Sequence, residues 1–102
     1  MSKKNSAYLN ILINEERTVL NYLKARYPLY HKSNVFFRDI QFGIKHYLES
    51  RDIKLKYTES EVLANEFISH LQSKGILRKL DEQIYLLNYP EFIAQSKSTT
   101  KA

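Results

Sequence analysis

The stretch TESEVLANEFISHLQSKGILRKLDEQIYLL, residues 58–87, decides how this chain is read. Thr58-Glu59-Ser60-Glu61 has the form of a capping box, in which a threonine hydroxyl accepts from the third helical amide and a glutamate returns to the cap amide. A helix over 59–74 follows. Gly75 supplies the left-handed residue that commonly ends one. On a helical wheel Leu63, Ala64, Phe67, Ile68 and Leu71 share one broad face, so Glu61, Val62, Asn65, Glu66, Ser69, Gln72 and Ser73 look outward. Beyond Gly75, Ile76–Leu80 and Gln83–Leu87 read as a hairpin turned at Leu80-Asp81-Glu82-Gln83. Asp-Glu is a poor pair for a tight primed turn, which favours a loop of three to five residues.

Upstream, NEERTVLNYLKARYP predicts a first helix. Asn14 is placed to cap it, Glu15 and Glu16 suit its first turn, and Val19, Leu20, Leu23 and Tyr27 recur at helical spacing. Pro28 discourages continuation at Tyr27. Residues 7–13, AYLNILI, either extend this helix backward or form a separate strand. NVFFRDIQFGIKHYLESRD opens with a short β-prone piece at Asn34–Phe36 and becomes a second helix. Phe36, Phe37, Ile40, Ile44, Tyr47 and Leu48 line its apolar side, with Phe42 on the polar side. IKLKY, residues 53–57, alternates apolar and basic residues and suits an extended connection.

Length and composition narrow the function classes. At 102 residues and 43% hydrophobic, the chain fits one compact core. No cysteine is present, which excludes disulfides, thiolate metal sites and cysteine nucleophiles. Asn10 and then Asn14-Glu15-Glu16 interrupt the first apolar run before signal-peptide or membrane-span length, so a cytoplasmic protein is expected. His31, His46 and His70 form no recognised ligand spacing, and the carboxylate pairs sit at helix starts and a turn. The two glycines, Gly43 and Gly75, build no phosphate loop. Neither an enzyme, a metal nor a cofactor is implied.

The net charge of +5 is unevenly spread. Residues 24–56 hold eight of the sixteen Lys and Arg and three of the eleven Asp and Glu: Lys24, Arg26, Lys32, Arg38, Lys45, Arg51, Lys54 and Lys56. Such a block either solubilises a surface or forms the footprint of a polyanion-binding protein, where each neutralised phosphate releases counterions. Tyr30 and Tyr57, in basic loops, are candidates for stacking on bases.

Helix, short extended piece, helix, connection, helix ending in glycine, hairpin: this order resembles the winged helix-turn-helix family over residues 14–88. The resemblance implies a mainly α fold with a small β-hairpin, a three-helix core plus wing, flanked by an N-terminal extension, 1–13, and a C-terminal tail, 89–102, partly disordered by composition. The family joins its two motif helices by a short turn, whereas Asp52–Tyr57 makes this connection long. An alternative takes Ile53–Tyr57 as the sheet strand and Phe36–Ser50 as the first helix. By the resemblance, helix 59–74 would read double-stranded DNA with Asn65, Ser69, Gln72 and Ser73. Lys45, Arg51, Lys54, Lys56, Arg78 and Lys79 would contact phosphate. Glu61 and Glu66 count against DNA, although Glu61 is accounted for by the capping box. The implied function is a small transcriptional regulator. A homodimer is expected, because Ala7–Ile13, Phe92 and Ile93 lie outside the motif and would be covered by a second copy. The alternative function is a winged-helix protein-interaction or oligomerisation module.

Overall fold

The structure is a computed structural model that describes residues 3–92, with side chains from Ser6 onward. Four helices, α1 (Lys3–Asn14), α2 (Glu16–Arg26), α3 (Phe37–Glu49) and α4 (Tyr57–Ser73), pack with three short strands, β1 (Asn34–Phe36), β2 (Leu77–Asp81) and β3 (Ile84–Leu87). The strands form one antiparallel sheet in the order β1-β3-β2. A 3-10 turn, Pro90–Phe92, follows. The fold is therefore mainly helical with a small three-stranded sheet. No helix among the described residues is long and apolar enough to cross a membrane.

The apolar periodicities close on one core. Val19, Leu20 and Leu23 of α2, Phe37, Ile40, Ile44, Tyr47 and Leu48 of α3, and Leu63, Ala64, Phe67, Ile68 and Leu71 of α4 are all buried. Val35, Leu77, Tyr85 and Leu87 close it from the sheet. Gly43 lets α2 approach α3 closely: a Cβ there would lie 1.9 Å from Leu23 Cδ2. Tyr27 turns extended ahead of Pro28, as its sterics require.

Several boundaries differ from those expected. Residues 7–13 belong to helix α1, which packs against α4 and buries Leu12 completely. The segment expected to lie outside the domain thus completes its core. Asn14 ends α1 rather than capping α2, and the chain bends at Glu15 while the helical amide ladder continues through it. Phe92 is likewise buried within its own chain, edge-on to Tyr89. Ile93 and the rest of the tail through residue 102 lie outside the described residues.

Phe36 is 47% exposed rather than part of the apolar side of α3, because it belongs to β1, where successive side chains alternate faces. Its strand pairs with β3, which excludes the alternative in which Ile53–Tyr57 supplies the sheet strand.

The α4 start also moves. Lys56, in extended conformation, takes the N-cap position, and Glu59 Oε1 accepts from its amide at 2.8 Å. A lysine side chain has no acceptor, so only the return half of a capping box forms. Thr58 lies inside the helix, and Glu61 has no part in the cap. At the other end the expected glycine stop is present. Gly75 has φ +76, its amide donates to Gln72 O, and the Ile76 amide donates to Leu71 O. That pair of bonds is a Schellman motif, sealed by the buried Leu71 and Ile76.

The hairpin is tighter than expected. Asp81 pairs with Ile84, leaving Glu82-Gln83 as a two-residue loop. Neither loop residue has positive φ, so the turn is not a primed one. A bulge between Lys79 and Asp81 adds an extra residue to β2 instead, and bulges increase the local strand twist.

Candidate functional site

Three elements meet around a polar cleft of about 370 Å³. Phe37, Arg38 and Gln41 enter from the start of α3, Tyr57, Glu61 and Asn65 from the first half of α4, and Lys79, Glu82, Gln83 and Tyr85 from the hairpin. The meeting follows from the chain path. The amide of Phe37 donates to Gln83 O at 2.9 Å, which fixes the start of α3 beside the hairpin turn. Gln41 Nε2 donates to Ser60 Oγ at 3.0 Å, which fixes the first turn of α4 against α3. The two polar partners are both buried, and among the described residues no buried side-chain polar atom lacks a partner.

The long connection between α3 and α4 is structured. Asp52 adopts φ +65, and the Ile53 amide donates to Leu48 O, so α3 ends much as α4 does. Leu55 is buried while Lys54 and Lys56 are exposed. The alternation in IKLKY therefore seats the loop by its leucine and leaves its two lysines in solvent beside the start of α4.

Asn65, Ser69, Gln72 and Ser73 are all exposed on α4. Of these only Asn65 lines the cleft, and its Nδ2 donates to Glu61 O at 3.2 Å. Ser73 Oγ donates to His70 O within its own helix. Glu66 is half-buried, while Glu61 is exposed.

The six basic candidates divide into two groups. Lys45 Nζ is 3.0 Å from Glu49, and Arg51 is paired with Glu15 and lies over the Tyr47 ring. Hydrogen bonds from Arg51 and Tyr47 hold the Glu15 carboxyl below its usual range, and Lys45 does the same for Glu49. Both cations are engaged by the fold. Lys54, Lys56, Arg78 and Lys79, by contrast, are exposed and make no salt bridge among the described residues. Arg38 shares that state and lines the cleft. Its charge is visible in the sequence, but its place beside the hairpin depends on the β1–α3 junction, which no local pattern announces.

Glu16 is not part of the cleft lining but ties two helices together elsewhere. It binds His70 Nε2 at 2.8 Å and Lys74 Nζ at 2.9 Å, joining the start of α2 to the end of α4. Burial alone would raise its carboxyl, but the bonds from Lys74 and His70 outweigh it and hold the group below its usual value. Tyr57 is 58% exposed and rests against Phe42, with ring centroids 6.2 Å apart. Tyr30 is exposed near Lys24.

Comparison with known proteins gives no matching family model, no similar curated protein and no similar solved structure.

Proposed function

We propose that this protein binds double-stranded DNA as a small transcriptional regulator, with α4 against the major groove and the β2–β3 hairpin on the adjoining backbone. The observation that carries this reading is the distribution of ion pairing. Arg38, Lys54, Lys56, Arg78 and Lys79 stand exposed without a salt bridge among the described residues, on α3, the α3–α4 connection and β2, three of the segments that adjoin α4. Phosphate contact is the use such cations serve in a nucleic-acid interface.

Two further features support it. The helix and strand order, with β1 between α2 and α3 and a β1-β3-β2 sheet, is compatible with a winged-helix layout. The exposed face of α4 carries Asn65, Ser69 and Gln72 at i, i+4 and i+7, so amides and a hydroxyl form a row that matches the hydrogen-bonding edges of bases. A salt titration of binding to random-sequence duplex tests the proposal. Retention that falls steeply as salt rises is expected. No retention at low ionic strength would overturn it.

The second reading, a protein-interaction module, is favoured by exposed Tyr57 and Val62 on the same helix. It predicts a partner footprint centred on those two side chains and indifferent to salt.

A further inference from the structure

We infer that Glu61 is a specificity-determining residue that selects a cytosine, an inference that rests on the DNA-binding reading above. Glu61 lines the cleft beside Asn65, one helical turn further along α4. The structural duties that would explain a carboxylate at this place are filled by others. Glu59 accepts from the N-cap amide. The Glu61 carboxylate makes no salt bridge among the described residues, although Arg38 and Lys79 line the same cleft.

An exposed carboxylate on a surface that meets DNA is repelled by phosphate, so its favourable partner has to be a donor on a base edge. In the major groove those donors are the exocyclic amino groups of cytosine and adenine. Adenine places its N7 acceptor beside the amino group, and two acceptors then face each other. Cytosine has no acceptor at that edge next to its amino group, which leaves it the better match. Asn65 is complementary. One of its amide hydrogens is held by Glu61 O, and the remaining hydrogen with Oδ1 is the pair that adenine N7 and N6 require. The two side chains, about 5–6 Å apart at Cβ, would read neighbouring positions.

Glu82 supplies the control. It also lines the cleft, but it stands in the two-residue hairpin loop rather than on the helix. Its charge should weaken DNA binding generally without choosing a base.

The test is selection of bound duplexes from a random pool by the wild-type chain, Glu61→Gln and Glu82→Gln, with affinity for random duplex measured alongside. Glu61 is exposed and its carboxylate makes no hydrogen bond or salt bridge among the described residues, so the variant keeps its fold. The wild type should recover sites with a fixed cytosine. Glu61→Gln should exchange that preference for adenine, by at least about fivefold, because a glutamine amide pairs with adenine. Glu82→Gln should keep the cytosine and bind all duplexes more tightly. Recovery of the same cytosine by Glu61→Gln, or wild-type binding with no cytosine position, would overturn the assignment while leaving DNA binding intact. A wild-type chain that retains no duplex at all overturns the DNA-binding reading, and this inference with it.

Discussion

Gln41 Nε2 donates to Ser60 Oγ at 3.0 Å in the interior between α3 and α4, and the same hydroxyl donates to Tyr57 O at 2.7 Å. The pair joins the two helices that frame the cleft. Ser60→Ala would leave the Gln41 amide only a 3.4 Å contact to Tyr57 O. A buried donor stripped of its partner costs about 1–3 kcal/mol, so the variant should unfold at lower urea with an unchanged m-value. Equal stability of variant and wild type would mean that water satisfies Gln41.

Acid should weaken the junction between α2 and α4. The Glu16 side chain is only 15% exposed, and its carboxyl lies below its ordinary value because Lys74 and His70 more than offset burial. A depressed carboxylate stabilises the fold fully above its unfolded pKa and loses that contribution as pH falls through the lower folded value. Stability should therefore decline below about pH 4.3, the ordinary glutamate value. Glu16→Gln should cost about 1 kcal/mol near neutrality, limited by the half-exposed Lys74, and nearly nothing at the acid end. Chemical unfolding at a series of pH values separates the two curves. If the difference stays constant with pH, Glu16 acts through packing alone.

Of the three left-handed residues, Lys32, Asp52 and Gly75, the last two call for opposite substitutions. Nothing lies within 4 Å of the place where a Gly75 Cβ would sit, so Gly75→Ala meets no clash and its cost is the backbone conformation itself, about 1–2 kcal/mol. Asp52 already bears a side chain at φ +65. Asp52→Gly should relieve that strain and leave the chain as stable or more stable by up to about 1 kcal/mol. Thermal unfolding of both variants reads the contrast, and a destabilised Asp52→Gly chain would show that its carboxylate earns its place in the loop.

How much of this was legible in the sequence depends on the range of the interaction. The buried and exposed faces of α4 follow from a 3.6-residue period, and Gly75 follows from local backbone sterics. The TESE pattern points to a start of α4 two residues too late, because Glu59 meets the amide of Lys56, a residue with no acceptor to offer. The place of residues 7–13 needed the far surface of α4, which a short apolar run does not announce. Site charges were least legible. Arg51 finds Glu15 across 36 residues, and Lys74 finds Glu16 across 58. Composition counts all these cations alike, and only the fold says which are free to meet a ligand.

That division of cations sets how binding responds to salt. Each phosphate contact removed lowers the slope of log affinity against log salt by about 0.9 on duplex DNA. Changing Arg78 and Lys79 together to Ala should lower it by up to about two units, and Lys54 with Lys56 should act similarly, with specific and random duplexes weakened alike. Asn65→Ala and Gln72→Ala should behave otherwise, each weakening a preferred duplex by roughly 1–3 kcal/mol while leaving random duplex nearly unchanged. Lys45 and Arg51 provide the decisive comparison. Their charges are already engaged by Glu49 and Glu15, so changing both to Ala removes two positive charges yet should leave the slope nearly unaltered. Binding by salt titration, at a temperature where all variants remain folded, distinguishes a placed interface from a general excess of charge. A slope that falls as far for Lys45 and Arg51 as for Arg78 and Lys79 means that net charge alone drives the binding, and the arrangement around α4 then has no part in it.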